Sequence, residues 1–178
     1  MQNTSVRVPG RSYALMRWMV AERNRDGIFS NELLLAVFWE RSLFVNARHD
    51  RGAGFGRLQP AHIDSLRREA GMDVSAQQIL MSDLLSVDAA IACLKLLTQR
   101  LNSSEAALLA VAGPEFTVER WRRAESALRA AAGDENRIEQ ALSLARQVPA
   151  EESSGQCRGR LFPDQAWLMS ARSPCAAA

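Results

Sequence analysis

The stretch Leu33-Leu34-Leu35-Ala36-Val37-Phe38-Trp39-Glu40-Arg41 decides the reading of this chain. Its apolar residues are consecutive, so they do not alternate as a half-buried strand would. Ser30 just upstream is a good N-cap, and the pattern predicts a helix over 32–41. A helix that is apolar nearly all round belongs at the centre of a domain. Glu40 closes the run. A carboxylate at that rim is partly desolvated, which disfavours its charged form and raises its pKa. A glycosidase acid needs that shift to hold a proton near neutral pH. The competing role for Glu40 is structural, an ion pair with Arg41 or another arginine.

Helix signals continue on both sides. Upstream, Tyr13, Leu15, Met16, Met19 and Val20 share one face of a helix expected over 11–25 and ended by Gly27. Downstream, residues 43–58 break the pattern with Asn46, Asp50, Gly52, Gly54 and Gly56, so a Gly-rich loop or short β-hairpin is expected there. Pro60 suits a first helical position, with Gly71 closing that helix. Ser75 and Gln78 form a capping box. Ser86 is read as preceding a helix over 87–101, and Ser104 as the cap of one over 105–112, which Gly113-Pro114 ends. Further helices are expected over 117–132 and from Asp134 to about Gln147. The fold class is therefore mainly α. Residues 1–149 form the helical domain, and 150–178, which open on Glu-Glu-Ser-Ser-Gly-Gln, read as a linker and tail able to dock back on it.

Composition bounds the function. The chain has 178 residues, 47% hydrophobic and 24% charged, which suits one globular domain. A net charge of +2 is far from the clustered basicity of nucleic-acid binders, so no nucleic-acid partner is expected. No run of about 18 apolar residues is present, so no membrane insertion is expected. The first residues have no signal-peptide pattern, which would leave the protein cytoplasmic unless a phage or secretion route delivers it to the periplasm and cell wall. Cys93 reads as a core residue, and a Cys157–Cys175 bridge stays open. No cysteine, histidine or acid spacing suits a metal, and no phosphate-cradling glycine loop is present, so neither metal nor cofactor is expected. His62, among polar neighbours, reads as a surface residue. Trp121-Arg122-Arg123, with Glu119, Arg120 and Glu125, reads as an exposed face with one buried tryptophan.

The order of segments resembles the lysozyme-like superfamily, closest to soluble lytic transglycosylases and goose-type lysozymes. The apolar helix ends in Glu40-Arg41 where that family has Glu-Ser. Gly52-Ala53-Gly54-Phe55-Gly56-Arg57-Leu58-Gln59 resembles its Gly-Leu-Met-Gln motif, with Gln59 19 positions after Glu40. An Asp-led helix follows, beginning near Asp83 or Asp88. Leu109-Ala110-Val111-Ala112-Gly113-Pro114 resembles the Tyr-Asn-Ala-Gly-Pro motif, with Ala110 and Val111 in place of Tyr-Asn. The likeness spans roughly residues 30–125.

The resemblance implies a lysozyme-like helical domain with an active-site cleft beside the glycine loop. It implies a muramidase that cleaves the MurNAc-GlcNAc β-1,4 bond of a peptidoglycan strand, with Glu40 as acid and then base. It places Gln59, Phe55, Arg41, Asp50 and Gly56 along the substrate. Asp50 would be the second carboxylate if the outcome were hydrolysis. The competing structural roles are a solvated turn for Asp50, a cap-region hydrogen bond for Gln59 and a core plug for Phe55. The missing Tyr-Asn pair favours the alternative of a lysozyme-like domain that binds wall glycan or a protein partner without turnover. Delivery machinery or an inhibitor protein are the other partners this reading admits.

Overall fold

The computed structural model describes residues 10–50, 52–112, 118–131 and 133–145. Chain contacts divide into one unit, Met1–Gln147, and a second, Val148–Ala178, which lies outside the described residues together with Cys157 and Cys175. Among the described residues the protein is mainly helical, with a small two-stranded antiparallel sheet.

Helix α2 (Asn31–Ser42) is the axis of the first unit. Ser30 caps it, its Oγ accepting the Leu33 N–H at 3.1 Å and donating to Glu125 Oε1 at 2.5 Å. Every side chain from Leu33 to Phe38 is buried, as the all-round apolar pattern requires. The helix stops in a left-handed turn at Leu43 (φ 53°) and Phe44 (φ 57°), an unusual conformation for non-glycine residues. Phe44 is offset by what it gains there: its ring is buried and meets Trp39 edge-on at 5.1 Å.

Against α2 pack α1 (Tyr13–Arg23) and α7 (Val118–Ala131), and α5 (Asp83–Leu101) packs against α1. Helix α1 starts two residues later than the sequence suggests and buries Met16, Met19 and Val20, while Leu15 is exposed. Its C-cap is Asn24, before Gly27; the Asn24 Nδ2 bonds the Phe29 carbonyl at 2.7 Å and turns the chain into α2. Helix α5 begins four residues earlier than expected, because Ser82, not Ser86, caps it, accepting the Leu85 N–H at 3.3 Å. Likewise Ser103 Oγ, not Ser104, receives a helical N–H at the start of α6 (Ser104–Ala112), that of Ala106 at 3.2 Å. Cys93 is buried in α5, and burial pushes its thiol up to about 12, so it is a neutral core group. Asp134 caps α8 (Glu135–Leu144), and Ala145 ends it short of Gln147. Gly113-Pro114, Thr117 and Ala132 lie outside the described residues.

The hairpin forms where the glycines predict it. Strands β1 (Arg48–His49) and β2 (Gly52–Ala53) pair Arg48 with Ala53 and His49 with Gly52. Ala53 then exchanges both backbone hydrogen bonds with Leu58 at 2.9 Å, closing a tight loop over Gly54–Arg57. Gly54 sits at φ +77°, and a Cβ there would lie 2.7 Å from Ile79 Cγ2. Only glycine fits both the backbone and the space. After the loop come α3 (Pro60–Glu69) and the short α4 (Ala76–Met81), with Pro60 at N1 and the Ser75–Gln78 capping box formed.

Candidate active site

Glu40 stands in the last turn of α2. Its Oε2 is shielded from solvent, although the residue as a whole is only half-buried. It is engaged by its surroundings, as are Arg41, Arg120 and Trp121. Trp121 is buried as expected, but Arg120 beside it is only 6% exposed, so the helix face read as exposed begins after Trp121. Arg122 lies on that face and pairs with Glu105 at 2.6 Å.

Arg41 is 9% exposed and its Nε donates to the Gly56 carbonyl at 3.0 Å. This bond joins the end of α2 to the glycine loop. Through it Arg41 and the Gly56 carbonyl hold the loop against the helix. Gly56 also approaches α5 closely, since a Cβ there would lie 2.8 Å from Ala90 Cβ. Ser42, the nearest hydroxyl after Glu40, is buried and donates to the Phe38 carbonyl at 2.8 Å.

The expectation for Phe55 is corrected. Expected to touch sugar, it has 0% exposure and packs against Phe38, with ring centroids 6.5 Å apart. The flanking glycines let the backbone bend so that the ring enters the core. The Phe55 N–H donates to Ser86 Oγ at 2.9 Å, which explains why a hydroxyl sits buried inside α5. Asn46 was visible in the sequence only as a loop former. Its Nδ2 donates to the Ile79 carbonyl at 3.1 Å and to Asp83 Oδ1 at 3.0 Å, tying the loop to the end of α4 and the start of α5. Asp83 in turn pairs with Arg11.

Gln59 is exposed at the N-cap of α3. Its backbone N–H donates to His62 Nδ1 at 3.3 Å. His62 is half-buried, not a surface residue; burial lowers its pKa, with the positive charge of Arg41 adding to the effect. The folded state thus binds the His62 proton more weakly than the unfolded chain does. This contribution to stability is full above the unfolded value, about pH 6.5, and is lost as pH falls below it. His62→Gln can cap without titrating. We expect parent and variant to have similar unfolding midpoints at pH 7.5. At pH 5 the parent should have lost more stability than the variant. Denaturant titrations at the two pH values check this.

Asp50 lies at the hairpin turn with φ 47°, exposed. It lines a pocket of about 460 Å³ between the hairpin and α3, whose lining includes Arg48, Leu58, Ile63 and Arg67 but not Glu40. The structure therefore joins Arg41 to Gly56 at the end of α2, one residue after Glu40, and sets Asp50 in a pocket with other neighbours. At the positions resembling Tyr-Asn, Ala110 is exposed and Val111 is buried. Among the described residues no group of acids, histidines or cysteines could hold a metal ion, and no helix is long and apolar enough to cross a membrane. Compared with known proteins, the chain matches no family model, no curated protein and no solved structure.

Proposed function

We propose that this protein cleaves the MurNAc-GlcNAc bond of peptidoglycan as a lytic transglycosylase of lysozyme-like fold, with Glu40 as the single catalytic carboxyl. The observation that carries this reading is the placement of Glu40. It stands in the last turn of the most buried helix, has Oε2 withdrawn from solvent, and directly precedes Arg41, whose side chain pins the glycine loop. In the proposed step the Glu40 carboxylic acid protonates the glycosidic oxygen as the C1–O bond breaks. The resulting carboxylate removes the proton of the C6 hydroxyl, whose oxygen bonds to C1. The product is a 1,6-anhydro ring, Glu40 regains its proton, and no water is consumed. Two-carboxylate hydrolysis needs a second acid flanking the same bond. Asp50, in a pocket whose lining omits Glu40, gives that route little support. The site of action would be the cell wall, reached by a phage or secretion route.

Digestion of purified peptidoglycan, followed by mass spectrometry of the products, tests the reading. Anhydro-muropeptides are the expected result; reducing ends would instead indicate hydrolysis. A second reading, glycan binding without turnover, is favoured by the apolar Ala110-Val111 pair. It predicts wall pull-down with no released product.

A further inference from the structure

We propose that the pocket between the hairpin and α3 binds a short peptide segment carrying both a carboxylate and an ammonium group. The pocket holds about 460 Å³, within the range of small-ligand sites, roughly 300–1,000 Å³. Leu58 and Ile63, both buried, give it an apolar floor. Among the described residues two cations and two acids line it: Arg48 and Asp50 from the hairpin, Asp64 and Arg67 from α3. Among the described residues none of these four forms an ion pair, although nine other pairs do form. Arg67 is fixed at the rim by its Nε, which donates to the Val74 carbonyl at 2.7 Å. A plain anion would meet Asp50 and Asp64, and a plain cation would meet Arg48 and Arg67. A ligand with both signs satisfies all four. Among the described residues no aromatic ring lines the pocket to stack on a sugar or a base. A small apolar floor with a rim of both charges matches a peptide with short side chains, a free carboxylate and a free amine. This inference stands on the pocket and does not depend on the role of Glu40.

The probe is the tripeptide Ala-Ala-Ala with free termini, titrated into the full chain by calorimetry. Two further probes are the same peptide with its amine acetylated and with its carboxyl amidated. Saturable binding is expected, weakened about tenfold for each capped peptide, the scale of one lost charge-assisted contact. Arg48→Ala and Asp64→Ala should weaken the uncapped peptide by a similar factor. Both residues are exposed, so the fold should survive; thermal unfolding verifies it, and the capped peptides decide the matter even if a variant misfolds. Absence of saturable binding, equal binding of the capped peptides, or folded variants that bind like the parent would each overturn the proposal. The Glu40→Gln chain should bind the peptide like the parent. A chain that binds the peptide yet releases no muropeptide therefore sinks the glycan reading alone.

Discussion

Glu40→Gln is expected to lower the release of anhydro-muropeptides from peptidoglycan by about a thousandfold, within the usual range for losing a general acid-base group. Glutamine keeps the length and shape of the side chain and still accepts hydrogen bonds through its oxygen. It cannot deliver a proton to the glycosidic oxygen or take one from the C6 hydroxyl. The loss should fall on kcat, with KM little changed, because the missing interaction belongs to the transition state. Unfolding midpoints measured alongside separate lost chemistry from lost structure. A folded variant that digests wall like the parent would remove Glu40 from the mechanism.

Phe55→Ala should destabilise the protein by about 3–5 kcal/mol, the cost of truncating a fully buried aromatic ring. Three contributions combine. The ring's apolar surface leaves the core, a cavity opens beside Phe38, and the Phe55 N–H bond to Ser86 loses the packing that sets its geometry. For a domain of this size the shift in Tm is about 2–4 °C per kcal/mol, so a fall near 10 °C is expected. Denaturant titration checks the free energy. Activity tells the two roles of Phe55 apart. A core residue leaves KM unchanged in the fraction that remains folded, whereas a sugar contact would raise it. A variant as stable as the parent would contradict the packing described here.

Much of the fold was legible in the sequence, for identifiable reasons. Seven consecutive apolar residues ahead of Glu40 left a central helix as the natural solution, and Ser30 marked its start. The Ser75–Gln78 box and the Asp134 cap are local hydrogen-bond devices, so spacing was enough to find them. Ser86 misled because a serine before an apolar run looks like a cap, whereas its hydroxyl is committed to Phe55, 31 positions away. Phe55 and His62 hid their burial in the same way. Phe55 stands between two glycines and His62 is itself a polar type, and only the folded arrangement of the hairpin, α3 and α5 covers them.

The candidate site was legible in part. Glu40, Arg41 and Gly56 were singled out by type, and the chain does bring Arg41 and Gly56 together, though the arginine serves the scaffold. The Asp50 pocket was invisible, since it arises only when the turn between two short strands lies beside α3.

The glycine loop is clamped from several sides: Arg41 holds Gly56, Ser86 holds Phe55, and Asn46 fastens the approach to α4. A wall anchored to several separate helices cannot wrap around what arrives. Whatever meets the outer side of that loop therefore has to fit the contour it already has.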